Sequence, residues 1–377
     1  MDYDVVIIGA GPAGYYAAKA VSQRKRKLLL AGAEPYLPYW RPRLPEVIRT
    51  GQDPESILMS GKDWFSENGV EIQLSKMAVR IDAAQKKVQW SDGDSTSYGS
   101  LILSCGSLPN RSPFPFEGKV FPLRSYQDAM DIRQRCAAGK KAFIIGGGSL
   151  GLETAFALVK TGCHVAVSVH SYPLSRQLDS EGGKFLAARL KESGITICCG
   201  DLANYEAEID KACVIAATGV HPDLTLAEKC GIKVSRGILV DEKMRTNLQG
   251  IYACGDIAEY NGTIPGLMSV AVKQGETAGI NASGGDMVYQ TVLPAPLTKV
   301  AGLTVSSFGS LKLLDDTQIY RKVSADSYAA IAVRSSKIVG AAFIGNVALG
   351  TKLKKWMEAE KGIGKAASFE EIEKLVG

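Results

Sequence analysis

An apolar run, Val5-Val6-Ile7-Ile8, stands almost at the start of the chain without an interleaved polar residue. That pattern fits a strand buried on both faces of a parallel sheet. It breaks into Gly9-Ala10-Gly11-Pro12-Ala13-Gly14 and then into an Ala-rich stretch, Tyr15 to Ala20, suited to a helix. A short strand, Leu28-Leu29-Leu30, follows. The same order returns later in the chain. Ala142-Phe143-Ile144-Ile145 leads into Gly146-Gly147-Gly148-Ser149-Leu150-Gly151, then a helix over Leu152 to Thr161 and a strand over His164 to His170. Three further apolar runs end on small residues: Ser100 to Ser107, Cys213 to Val220, and Ile251 to Ile257, which closes on Gly255-Asp256.

Between these repeats the pattern is weaker but still readable. Pro35, Pro38 and Pro42 predict an ordered loop with no regular helix over 35–43, at the carboxyl edge of the sheet where ligands of such folds bind. Its aromatics and arginines either face a ligand or pack on one another. A helical stretch over Pro54 to Asn68 precedes strands at 70–74 and 77–81, and Asp92-Gly93 marks a hairpin turn. The proline-rich segment Leu108 to Pro122 reads as a crossing between domains. Helices are expected over Ser180 to Ser193 and Leu267 to Asn281, with a strand over Ile195 to Cys198. The tail alternates strands at 300–306, 328–334 and 338–344 before an amphipathic helix at 352–360. The expected fold is α/β: two Rossmann-like domains and a small C-terminal α+β domain. The first would comprise 1–107 with 246–292, the second 108–245 and the third 293–377.

Composition narrows the function without choosing it. A chain of 377 residues, 46% hydrophobic and 22% charged, has the balance of a globular protein with several cores. Its net charge of +5 is modest, and no basic patch interleaved with aromatics points to nucleic acid. No apolar run reaches the length of a membrane helix, and Met1-Asp2-Tyr3-Asp4 is unlike a secretory leader. The eight cysteines are scattered, with neither C-x-x-C nor metal-ligand spacing, which argues for reduced thiols, a cytoplasmic location and no metal site. Vicinal Cys198 and Cys199 read as two buried thiols rather than a disulfide.

The two glycine motifs carry the chemistry. In each, the first glycine permits a tight turn, the second lets backbone approach a pyrophosphate, and the third lets helix pack close on strand. The helix N-terminus then presents free N–H groups and the positive end of its dipole to phosphate. Glu34 lies 20 residues beyond Gly14, where an acid accepts from an adenosine ribose. No acid stands at the matching place after the second motif, where Ser168, His170 and Arg176 leave NAD and NADP both open. Asp256 is placed to accept from a polyol chain.

These features resemble a known family, the flavin-dependent pyridine nucleotide oxidoreductases of the glutathione-reductase structural type. Tyr39-Trp40-Arg41-Pro42-Arg43-Leu44, the segment Tyr172 to Asp179, and Gly350-Thr351-Lys352-Leu353-Lys354-Lys355 are similar to the NADH:rubredoxin oxidoreductase branch of anaerobic bacteria. The resemblance implies FAD at Gly9, Gly11, Pro12, Ala13, Gly14, Ala33, Glu34, Arg41, Val79, Gly106, Asp256 and Lys299. It implies NADH or NADPH at Gly146, Gly148, Ser149, Leu150, Gly151, Glu153 and Gly219. Disulfide reductases of this type carry C-x-x-x-x-C near the first helix, and the peroxidase and oxidase branch carries a reactive cysteine in the Arg43 to Ile48 region. This chain has no cysteine before Cys105. No side chain is therefore assigned as catalytic, and the flavin is expected to carry the redox chemistry.

Under this resemblance the chain takes a hydride from NAD(P)H onto FAD and passes electrons singly to a small acidic redox protein, rubredoxin first. Lys352, Lys354, Lys355, Arg41 and Arg43 are then candidates for a docking rim. Two alternatives share both nucleotide sites: an oxidase that reduces O2 directly, and a nucleotide-sensing flavoprotein without fast turnover.

Overall fold

A computed structural model describes residues 1–110, 120–312, 316–364 and 368–376. The chain divides into two compact units. The first comprises Met1–Arg41, Gln52–Leu108 and Val220–Val292. Its parallel sheet runs in the order Val70–Gln73, Leu28–Ala31, Tyr3–Ile8, Ser95–Leu103, with Ile251–Ala253 beyond. Val5, Val6 and Ile7 are wholly buried, as an unbroken apolar run requires when both sheet faces are covered. The outer half of Ser95–Leu103 pairs antiparallel with Lys87–Trp90, which pairs with Ala78–Asp82. Helix Pro12–Ser22 packs on helix Met268–Ala282 with almost no side chain between the two backbones. A Cβ on Gly275 would lie 2.3 Å from the Ala13 carbonyl oxygen.

The second unit comprises Pro42–Gly51, Pro109–Gly219 and Leu293–Gly377. It holds an all-parallel sheet in the order Ile195–Cys199, His164–Val169, Lys141–Ile145, Cys213–Ala216, Val120–Pro122. It also holds an antiparallel sheet in the order Leu297–Val300, Leu303–Gly309, Lys337–Ile344, Tyr328–Arg334, Thr317–Val323. Phe343, Leu353, Phe369 and Ile372 form a core between that sheet and helices Ala348–Glu358 and Phe369–Val376.

Several local expectations change. The helix expected over 54–68 is two pieces, a 3-10 turn at Pro54–Ile57 and a helix at Lys62–Glu67, because Gly61 is extended and starts the second piece afresh. The proline loop runs into a short helix, Leu44–Thr50. Pro45 falls in its first turn, where the missing N–H costs nothing, and Gly51 ends it with φ +67°. The tail carries two strands and a helix beyond the expected ones: Leu297–Val300, Thr317–Val323 and Phe369–Val376. Thr317–Val323 is an edge strand with exposed Arg321, Lys322 and Val323, so its alternation was blurred by solvated positions. Cys198 is buried but Cys199 is exposed, since neighbours in a strand point to opposite faces. Most of the expected crossing, residues 111–119, lies outside the described residues.

Candidate dinucleotide sites

In the first unit, strand Tyr3–Ile8 hands over to Gly9 at φ +108°, and a Cβ there would lie 2.3 Å from the Ser104 carbonyl oxygen. Any side chain on Gly14 would meet the Gly9 carbonyl oxygen at 1.9 Å, so strand and helix approach only through glycine. Gly11 differs from both. It is an extended N-cap with no side-chain cap, and nothing lies within 4 Å of a Cβ built on it. Pro12 occupies the first turn, where its missing N–H is harmless. An open backbone cradle at an uncapped helix N-terminus fits a pyrophosphate.

The second unit builds the same cradle independently. Gly146 has φ +117°, with a virtual Cβ 2.4 Å from the Ala217 carbonyl oxygen. Gly151 would meet the Gly146 carbonyl oxygen at 2.0 Å, and Gly148 is an extended N-cap with nothing within 4 Å. Three glycines thus meet the same three constraints twice. Ser149 begins the helix; its hydroxyl accepts from Gln177 (3.2 Å) and from the Thr298 hydroxyl (2.6 Å). The Leu150 carbonyl accepts from the Thr154 hydroxyl at 2.6 Å, which is local helix bonding. Leu174 donates its N–H to the Gly147 carbonyl at 2.8 Å, tying the segment after the second strand to the glycine turn.

Around the first cradle, Glu34 accepts from the Tyr39 hydroxyl at 2.6 Å and from Arg41 at 2.5 Å. Arg41 also donates to the Tyr39 hydroxyl at 2.9 Å, closing a three-residue ring. Burial works against the Arg41 charge, but Tyr39, Glu34 and Asp256 outweigh it and hold its pKa above the ordinary value. Arg41 thus directs its guanidinium to Glu34 and the Tyr39 hydroxyl. Asp256 accepts from the Ser107 hydroxyl at 3.0 Å, and the N–H of Gly255 beside it donates to Gln274 at 2.9 Å. Val79 is exposed and sits where the ladder register slips between Ala78 and Arg80, leaving it out of the cross-strand pairing. Ala33 is exposed, and Gly106 turns the chain at φ +76°.

In the second unit Glu153 accepts from the Lys299 backbone N–H at 2.9 Å. Burial pushes its carboxyl up to about 7 against the opposing pull of Lys299. Lys299, on edge strand Leu297–Val300, is thus beside Glu153. Gly219 turns at φ +99° and its carbonyl accepts from the Asn110 N–H at 3.0 Å. Ser168 is buried in its strand, whereas His170 and Arg176 are exposed beyond the strand end.

Some residues that shape these sites escaped sequence reasoning. Gln274 is almost fully buried within helix Met268–Ala282, where a polar residue among apolar ones was the available signal. Tyr39 was seen only as part of an aromatic loop. Asp179 caps helix Ser180–Glu192 through Gly182 (3.0 Å) and accepts from Tyr328 (2.5 Å) and Arg321 (2.8 Å), contacts between segments far apart in sequence.

Two glycine cradles, each at the carboxyl end of a parallel sheet, define a protein built to hold two dinucleotides. The chain belongs to the pyridine nucleotide-disulphide oxidoreductase family, whose profile matches residues 3–275. Residues 294–361 match the rubredoxin NAD+ reductase C-terminal domain. The chain is 40% identical over 372 residues, 98% of each chain, to NADH-rubredoxin oxidoreductase of Clostridium acetobutylicum. The crystal structure of NADH:rubredoxin oxidoreductase from that organism superposes with a TM-score of 0.91, at 39% identity and 98% coverage of both chains. A rubredoxin-NAD(+) reductase of Pseudomonas putida is 30% identical over 346 residues, 82% of this chain and 88% of that one. The disulphide of the family name has no counterpart before Cys105. Among the described residues no helix is long and apolar enough to cross a membrane, and no group of three or more His, Cys, Asp or Glu is arranged to hold a metal.

Proposed function

We propose that this protein is an FAD-dependent NADH:rubredoxin oxidoreductase. FAD would be held by Gly9, Gly11, Pro12, Ala13, Gly14, Ala33, Glu34, Arg41, Val79, Gly106 and Asp256. The nicotinamide nucleotide would be held by Gly146, Gly148, Ser149, Leu150, Gly151, Glu153 and Gly219, while Lys299, beside Glu153, is expected toward FAD as the resemblance implies. The observation that carries the reading is the twice-built glycine cradle in a chain with no cysteine in sequence before Cys105. The full-length likeness to NADH-rubredoxin oxidoreductase supports the choice of donor and acceptor.

When bound, FAD supplies two-electron acceptance from a hydride and one-electron release, chemistry that no side chain here offers. The protein binds and orients. Gly11 and Gly148 give phosphate access to backbone N–H groups, and Glu34 keeps lone pairs for a ribose beyond its bonds to Tyr39 and Arg41. Asp256 and Ser107 offer oxygens to a polyol chain. Glu153, with a carboxyl near neutrality, exchanges a proton in the working pH range. Lys352 and Lys355 on helix Ala348–Glu358 are exposed and suit an acidic carrier, while Lys354 pairs with Glu358 at 3.7 Å and Arg43 with Glu46 at 2.9 Å. The division into 1–107 with 246–292, 108–245 and 293–377 belongs to the same proposal. So does a cytoplasmic location, supported by cysteines scattered without a disulfide framework.

Bulk placed in each open cradle separates the two assignments. Gly11→Val is expected to purify without flavin absorbance. Gly148→Val is expected to keep the flavin and lose its reduction by NADH. A Gly148→Val protein that loses flavin while Gly11→Val retains it would reverse the assignment.

A further inference from the structure

Three cysteines far apart in sequence meet at the amino-terminal edge of the parallel sheet in the second unit, the edge opposite the glycine cradle. Cys136 follows helix Tyr126–Arg135 and donates its N–H to the Ile132 carbonyl at 2.8 Å. Cys163 precedes strand His164–Val169, and its thiol donates to the Cys136 carbonyl at 2.9 Å, which occupies it. Cys213 opens strand Cys213–Ala216, and its thiol and that of Cys136 interact side chain to side chain. Cys136 is 1% exposed, whereas Cys213 is half-buried and reaches a cavity of about 630 Å³. That cavity is lined by Phe121, Arg135, Lys140, Lys141 and Lys211, with no carboxylate among its lining residues. Arg135 is fixed there by stacking on Phe121, 4.5 Å from the ring centroid.

One thiol thus faces an open basic pocket while its neighbour is almost fully buried. This is the arrangement of an attacking and a resolving cysteine, because reactive thiols sit in electropositive, partly exposed surroundings and the second thiol must be within reach. The electrostatics agree. The Cys136 interaction and, against burial, Arg135 and Lys140 hold the Cys213 thiol below its ordinary range, while Cys213 and burial raise Cys136.

We propose that Cys213 and Cys136 form an oxidisable pair, in which a hydroperoxide reacts with Cys213 in the basic pocket and Cys136 resolves the product to a disulfide. With hydrogen peroxide, the Cys213 sulfur attacks one peroxide oxygen and the O–O bond breaks. The departing hydroxide takes up a proton as water, leaving a sulfenic acid. The Cys136 sulfur then attacks the Cys213 sulfur, the S–O bond breaks, and the oxygen leaves as water with the Cys136 proton. Two thiols lose two electrons in total and one peroxide becomes two waters.

The test uses the flavin-loaded protein, hydrogen peroxide, and peptide mapping by mass spectrometry. A cross-linked peptide pair containing Cys136 and Cys213, lighter by two hydrogens and restored by dithiothreitol, is expected. Cys136→Ser should accumulate a dimedone adduct on Cys213 about tenfold faster than on Cys199, the exposed control. Cys136 and Cys213 remaining titratable thiols after Cys199 is oxidised, or Cys136 pairing with Cys163 instead, would overturn the proposal. The wild-type map decides even if a variant folds poorly.

Discussion

Glu153 is the residue whose protonation most distinguishes this site. Its folded-state carboxyl lies at about 7, raised from 4.5 by burial. Between those values the folded chain binds more protons than the unfolded one, so this residue's contribution to stability falls as pH rises through that window. The slope disappears below about 4.5 and above about 7, where both states carry the same charge at this residue. Replacing it, Glu153→Gln, should flatten the melting temperature across that window relative to wild type. The same variant should lose a pKa near 7 from the rate of flavin reduction by NADH, and an unchanged pH profile would remove Glu153 from the site. The Glu34–Tyr39–Arg41 ring gives a second residue-scale prediction. Arg41→Ala removes two charge-assisted or polar hydrogen bonds from a partly buried ring. FAD affinity, followed by fluorescence titration of the apoprotein, should fall about tenfold or more, as expected for roughly 1.5–3 kcal/mol.

Among the elements, the contact between helices Pro12–Ser22 and Met268–Ala282 bears most on the first site, because it holds the helix that begins at Gly11. A methyl group at Gly275 would collide with backbone rather than with a movable side chain. Gly275→Ala should therefore destabilise the protein by about 1–3 kcal/mol in denaturant unfolding. The central strands and both glycine turns were legible from sequence, since unbroken apolar runs ending in spaced glycines have few other uses. Helix Leu44–Thr50 was not, because Pro42 just before it reads as a helix breaker, while Pro45 falls harmlessly in its first turn. Strand Thr317–Val323 was hidden by its solvated edge. The Asp179–Arg321–Tyr328 network and the Cys136–Cys213 pair depend on contacts across more than seventy positions of sequence, which no local pattern records.

For the whole molecule, two pyrophosphate cradles and the absence of any cysteine before Cys105 in the sequence leave bound FAD as the redox centre of the proposed reaction. The net charge of +5 and the lysines on helix Ala348–Glu358 favour encounter with an acidic carrier. Reversing both exposed charges, Lys352→Glu with Lys355→Glu, should raise KM for rubredoxin about tenfold at low ionic strength and leave flavin reduction by NADH unchanged. The effect should shrink as salt screens the surface. The most direct measurement is anaerobic stopped-flow: the protein is reduced with one equivalent of NADH and then mixed with oxidised rubredoxin or with air-saturated buffer. Reoxidation by rubredoxin much faster than by air is the predicted result; reoxidation by air that outpaces rubredoxin by a wide margin would contradict it.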